Sequence, residues 1–190
     1  MPSLLAACVV HQLRPDSGTY GVTAIDKRPL DGPVKVNRYG LRSDVQADRK
    51  HHGGIDQAIY AYSQSDADFW AAELGRPLAP GWFGENLRVD GIDLREAREG
   101  DRWRIGDRVV AEVTHAREPC ATFARWVGST VDRESERGWV RRFGAEGRLG
   151  AYLRVVTVGQ LAAGDSIEVD VAAGAPAILD VFRVQFPAYR

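Results

Sequence analysis

Apolar positions along this chain come in short runs broken by glycine, proline and charge. Residues 4–13 begin with a nearly unbroken apolar run, which predicts a buried strand holding Cys8, and Arg14-Pro15-Asp16-Ser17-Gly18 is turn chemistry. A second short strand is predicted over 20–25, with Asp26-Lys27-Arg28-Pro29 ending it, and 34–36 alternates like a third. Residues 58–62 (AIYAY) read as an aromatic-rich strand. The clearest helix has Ser65 as its N-cap and Asp68 three residues on, an apolar stripe of Phe69, Trp70 and Leu74, and Gly75 with Pro77 as its close. Residues 87–89 predict a strand, and 95–107 alternate in charge sign, as a solvated hairpin does. Over 108–114, Val109, Ala111 and Val113 fall on one face of a strand and Val110, Glu112 and Thr114 on the other. Pro119 forbids its continuation as a central strand, and Phe123, Trp126 and Val127 then take helical spacing before Gly128. A charged helix is predicted over 130–143, weakened by Gly138, and a hairpin over 151–158 and 166–171 about Gly164-Asp165.

Many short strands separated by glycine-rich turns, with few helices, predict a mainly β fold: a closed or nearly closed β-barrel with a few short peripheral helices. A length of 190 residues suits one domain, taken as 1–171. In the tail, 172–190, Ile178, Phe182 and Phe186 recur every four residues, as in a short helix docked on the barrel. The 25 basic and 26 acidic residues leave a formal net charge of -1, which argues against a surface built for nucleic-acid phosphates or an anionic membrane. The two cysteines, Cys8 and Cys120, make neither a disulfide framework nor a paired Cys-x-x-Cys metal site. The segment 4–10 lacks a basic leader and is too short for a signal core, and no apolar run is long enough to cross a bilayer. A reducing cytoplasm is the expected compartment.

The candidate chemistry centres on His115-Ala116-Arg117-Glu118-Pro119-Cys120, which sets a thiol at a strand-to-helix junction. A helix N-terminus favours negative charge, and Arg117 and His115 are possible positive partners, so a reactive or metal-ligating thiolate is one reading. The other is a small buried hydrophobe. Lys27 and Arg28 are the nearest thing to an anion clamp, against the alternative of two solvated cations at a turn. His51-His52-Gly53-Gly54 suggests a backbone that closely approaches something, although adjacent histidines on a strand point to opposite faces. Residues 80–87, with Trp82 and Phe83 between two glycines and Asn86 beyond, either line a pocket or fold back on the core.

The ordered set Ile25-Asp26-Lys27-Arg28-Pro29, Gly40-Leu41, Asp44 to Asp48, His52-Gly53-Gly54, GWFGENL over 81–87, Ile105-Gly106-Asp107, Arg117-x-Pro119-Cys120 and Ala163-Gly164-Asp165 resembles the MOSC family, a domain also found at the C-terminal end of molybdenum cofactor sulfurase. The resemblance covers roughly 25–171 and implies a β-barrel, a molybdopterin-type molybdenum cofactor, and Cys120 as a molybdenum thiolate ligand or sulfur carrier. It further implies that Lys27, Arg28, His52, Gly53, Gly54, Asn86 and Arg117 bind the cofactor, with His52 or His115 assisting proton delivery. Stand-alone bacterial members include reductases of N-hydroxylated bases, so a small N-hydroxylated substrate is expected. The helical domain that some members carry does not follow here, which points to a separate electron-transfer partner. A non-redox sulfur carrier or pterin-holding module is the alternative. Ser43, Gln57 and 114–116 depart from the common family pattern at positions that do not include the thiol.

Overall fold

A computed structural model describes residues 1–46 and 53–189. Along the chain lie β1 (Ser3–Val10), β2 (Arg14–Pro15), β3 (Val22–Thr23), β4 (Lys27–Pro29), β5 (Val34–Asn37), β6 (Gly40–Leu41) and β7 (Ile59–Ser63). Next come α1 (Gln64–Glu73), β8 (Leu87–Asp90), β9 (Arg102–Ile105), β10 (Val109–Ala116), α2 (Ala121–Thr130), α3 (Arg133–Glu136) and α4 (Trp139–Glu146). The chain ends with β11 (Ala151–Thr157), β12 (Gly159–Leu161), β13 (Ile167–Asp170), α5 (Ile178–Gln185) and a 3-10 turn over Pro187–Tyr189.

Eight strands form one sheet in the order β13-β9-β10-β11-β7-β8-β1-β4. Every neighbouring pair is antiparallel except β7 and β8, whose parallel pairing requires the crossover that α1 and the following loop provide. The start of β1 reaches the far end of this sheet. Ser3 bridges Ser166, Leu4 donates its N–H to the Asp165 carbonyl at 2.9 Å, and Gly164 donates to the Leu4 carbonyl at 2.8 Å. Beyond that single bridge the named strands do not pair into a closed ring among the described residues, so the architecture is mainly β with a few helices, and of the expected closed or nearly closed barrel no closed form is found.

The strand alternation has its physical outcome in β10, where Val109, Ala111 and Val113 are at most 1% exposed. All five residues of β7 are buried because helices and loops cover the sheet there. Phe123 of α2 meets Phe143 of α4 edge-on at 5.0 Å, Tyr62 of β7 stacks on Phe83 at 4.0 Å, and Trp70 of α1 meets Trp139 at 4.8 Å. These rings weld α1, α2, α4 and the 81–86 loop to one face of β7.

Several elements depart from their predicted form. Lys27–Pro29 is itself a strand paired with Cys8–Val10, because β1 needs an edge partner beyond β8. The predicted strand over 20–25 shrinks to Val22–Thr23, paired only with Arg14–Pro15. The α1 cap is Ser63, whose hydroxyl accepts from the Asp66 N–H at 3.2 Å, two residues before the predicted one. Gly128 lies inside α2, where a side chain would strike Glu136 of α3 at 2.3 Å; it permits close helix approach and does not stop the helix. The helix over 130–143 breaks into α3 and α4 at Gly138, which has φ +72°. The segments 151–158 and 166–171 do not form a hairpin. Strand β11 is claimed by β10 and β7, β13 by β9, and β12 pairs with β5 in a separate sheet. Only 102–105 of the solvated hairpin is strand, and Asp101 is buried, accepting from the N–H groups of Arg98 and Ala172 at 2.8 Å each. Helix α5 packs on β10 with Ile178, Leu179 and Phe182 buried.

Candidate functional site

A cavity of about 340 Å³ opens where α2 begins. Its lining comes from three directions: residues 16–25 around the β2–β3 turn, the Asp44–Gln46 and Gln57 segments, and Arg117 with Cys120–Thr122 and Arg125 at the strand-to-helix junction. Lys27, Tyr60, Gly84, Asn86 and Tyr152 complete it.

Cys120 occupies the N-cap position of α2 with extended backbone, and its side chain caps no backbone N–H. It is half-buried and lines the cavity, whereas Cys8 is fully buried in β1. Burial pushes the Cys8 thiol well above the ordinary range, with the Glu85 carboxylate adding to the rise. Arg117 is the charged neighbour of Cys120. Its guanidinium lies 4.8 Å from the ring centres of both Tyr60 and Phe123, and Nη1 donates to the Phe83 carbonyl at 2.6 Å. Among the described residues no carboxylate pairs with it. Burial opposes its charge, but the electrostatic pull of Tyr60, Cys120 and Tyr152 and a hydrogen bond with the Tyr60 side chain outweigh it and hold its pKa above the ordinary value. Arg125 is held by Asp16 at 2.7 and 2.6 Å, and that hydrogen bond raises its pKa above the ordinary value.

The sheet interior behind the cavity is a hydrogen-bond hub built on Asp44 and Asn86. Asp44 accepts from the Val10 N–H at 2.9 Å, Lys27 Nζ at 2.6 Å and Asn86 Nδ2 at 2.7 Å. Asn86 also donates Nδ2 to the Cys8 carbonyl at 3.2 Å and accepts from the Tyr60 N–H at 3.1 Å, so its carboxamide is largely spent on the fold. The 81–87 loop folds back on the core rather than forming an open tip. Glu85 is fully buried and its carboxylate accepts from the N–H groups of Gly81 at 2.7 Å and Phe83 at 3.0 Å and from Arg88 at 2.5 and 3.0 Å. Gly81 is required by this winding, since at φ +91° a Cβ would lie 2.3 Å from the Lys27 carbonyl oxygen.

Of the residues singled out from the sequence, Cys120, Arg117, Lys27 and Asn86 meet at this cavity. Arg28 does not. It stands on the other face of β4, 57% exposed, with its nearest carboxylate Asp26 at 3.7 Å. Gly53 and Gly54 are not in the lining; Gly54 donates its N–H to Gln46 Oε1 at 3.0 Å, and Gln46 is. His115 is on β10 beside a shift in register, with Tyr152 at 5.2 Å and its Nε2 3.0 Å from Gln57 Nε2. It borders a separate groove beneath α5 and touches the cavity lining through Gln57 and Tyr152. His52, expected to bind cofactor and assist proton transfer, lies outside the described residues. Sequence reasoning gave no role to Asp16, Asp44, Tyr60, Tyr152 or Gln57. Asp44 carried a signal as part of the 44–48 motif, and Gln57 as a departure from the common family pattern.

The fold and this thiol-bearing cavity define a mainly β domain with a half-buried cysteine beside a buried arginine. The chain belongs to the MOSC domain family, whose model matches residues 48–168. It is 34% identical over 146 residues to the uncharacterized protein YflK of Bacillus subtilis, covering 77% of this chain and 62% of that protein. A reductase of Gibberella moniliformis is 31% identical over 153 residues, covering 76% of this chain and 25% of the reductase. The chain thus spans less than two thirds of the length of either relative. The crystal structure of YiiM from Geobacillus stearothermophilus superposes with a TM-score of 0.74 at 23% identity, over 97% of this chain and 84% of that one, which speaks for the fold. No helix among the described residues is long and apolar enough to cross a membrane.

Proposed function

We propose that this protein is an oxidoreductase that reduces N-hydroxylated small molecules, using a molybdopterin-type molybdenum cofactor in the Cys120 cavity. The observation that carries the reading is Arg117: a buried guanidinium that meets the rings of Tyr60 and Phe123, the Tyr60 side chain and the Phe83 carbonyl but, among the described residues, no carboxylate, set beside a half-buried thiol. Burying a cation without a counter-charge is costly, so the site is built to receive negative charge. The residues fit the cofactor in chemical kind. A thiolate is a soft ligand suited to such a metal, and the cavity has room for part of a rigid ring system. Membership of the MOSC family and the reductase name of one relative support the same reading.

When bound, the cofactor would pass two electrons to the N–O bond. The overall reaction takes a hydroxylamino group, two electrons and two protons to an amine and water. Cys120 would hold the metal, and Arg117 would offset the charge gathered there. Lys27 is already matched by Asp44, so its contribution is to orient that hub and, through it, Asn86 and Tyr60. Tyr60 and Tyr152 give the cavity aromatic walls that limit water access. Electrons would come from a separate donor protein, and the cytoplasm is the compartment that suits two cysteines not joined in a disulfide.

Metal and pterin analysis of the protein purified from a cofactor-competent host tests this. Near-stoichiometric molybdenum with turnover of benzamidoxime by a chemical reductant is the expected result. Persulfide on Cys120 with no molybdenum would overturn it in favour of a sulfur carrier.

A further inference from the structure

Gln57 lies two residues before β7 and lines the cavity, with the two ends of its carboxamide used unequally. Nε2 is 3.0 Å from Nε2 of His115, while Oε1 is buried and has no hydrogen-bond partner among the described residues. An amide NH₂ only donates, so this contact is a hydrogen bond only if His115 Nε2 is an acceptor, with the ring neutral and its proton on Nδ1. The surroundings favour that state: burial lowers the His115 pKa below its ordinary value, against the opposing pull of Glu118, Asp56 and Glu99. Tyr152 faces the ring at 5.2 Å, and the α5 residues bordering its groove, Ile178, Val181, Phe182, Gln185 and Phe186, carry no ionisable group. An amide oxygen left without a partner in such a place is a standing cost that a donor from the cavity would relieve.

We infer that Gln57 reads the molecule in the cavity: its Oε1 accepts a hydrogen bond from an N–H or O–H of the ligand, and His115 is the positioning residue that keeps the carboxamide this way round. The inference rests on the proposed function only for what the ligand is. It gives the cavity a preference for ligands that present a donor on that side. Protonation of His115 would turn Nε2 into a donor, rotate the amide, and replace the acceptor at Gln57 with a donor.

The test uses the full chain and has two parts. Nitrogen-15 NMR of the histidine rings in wild-type protein is expected to show His115 as the Nδ1–H tautomer, with that preference lost in Gln57→Leu. A protonated or Nε2–H His115 near neutral pH, or a tautomer indifferent to Gln57→Leu, overturns the positioning claim. For the ligand, benzamidoxime is titrated while the Gln57 side-chain amide resonances are followed. Saturable shifts are expected in wild type, with binding weakened about tenfold in Gln57→Leu and less in His115→Phe. In active protein the same change should raise KM about tenfold while kcat moves less than twofold. Unchanged affinity in a folded Gln57→Leu protein sinks the inference, as does failure of the Gln57 resonances to respond. Probe binding without turnover would instead count against the reductase reading alone.

Discussion

Among the described residues two arginines are buried, and they are treated in opposite ways. Arg88 is fully buried and meets Glu85, itself fully buried, through Nη2 at 2.5 Å and Nε at 3.0 Å, with Gln64 Oε1 and the Ala79 carbonyl taking its other donors. Arg117 has two aromatic rings and the Phe83 carbonyl. The first is a closed account, a charge pair that winds the 81–87 loop. The second keeps spare donors and spare charge next to Cys120, where a ligand can use them. The cysteines repeat the contrast, Cys8 sealed inside β1 and Cys120 opening on the cavity. A buried charge that the fold has already neutralised speaks of architecture; one left unmatched at a cavity wall speaks of a guest.

The contrast can be broken most sharply at Glu85. Glu85→Ala leaves Arg88 as an uncompensated buried charge and strips acceptors from Gly81 and Phe83, so urea unfolding is expected to show a loss of about 3–5 kcal/mol. A loss below 1 kcal/mol would mean that the pair is not the clasp described. Cys8→Ser puts a hydroxyl into an apolar strand interior and is expected to cost about 1–3 kcal/mol, leaving molybdenum content unaltered. In folded wild-type protein made in a host that lacks the cofactor, iodoacetamide followed by peptide mass mapping should label Cys120 and spare Cys8; labelling of both at similar rates would erase the distinction. Arg117→Met inverts the Glu85 result. With no carboxylate left stranded, stability should move by no more than about 1 kcal/mol, while molybdenum bound per chain falls several-fold. The smallest effect belongs to Asp16, whose carboxyl is held below its ordinary 3.8 first of all by the hydrogen bond from Arg125. Its folded pKa is the lower one, so its contribution is complete above the unfolded value of 3.8 and disappears as pH falls through the folded pKa. Because Arg125 is partly exposed, the contribution is under about 1 kcal/mol, and Asp16→Asn should flatten the stability curve only in that acid window.

Local pattern located most of the elements but not their partners. The alternation over 108–114, the apolar start of β1 and the spacing of Ile178 and Phe182 were legible because each records one buried face of one element. The false hairpin over 151–171 shows the limit. Its two arms have good strand patterns, yet pairing depends on which distant strand offers a free edge, and β10, β7 and β9 do. The site divides in the same way. Cys120 and Arg117 stood out because proline, thiol and cation are adjacent in a short segment. Gln57 showed only as a departure from the family pattern and Tyr152 not at all, since an isolated glutamine or tyrosine has no role to read until folding sets it against His115 or a cavity. Lys27 and Arg28 looked like one clamp, and strand geometry sent them to opposite faces.

By itself the sequence determined that this is a mainly β chain of the MOSC family with a thiol at a strand-to-helix junction, because strand period, turn chemistry and helix start are local properties of consecutive residues. Tertiary structure alone decided which charges would be matched. Glu85 closes on Arg88 and Asp44 on Lys27, while no carboxylate reaches Arg117 among the described residues; such pairings rest on distances between segments far apart in the chain.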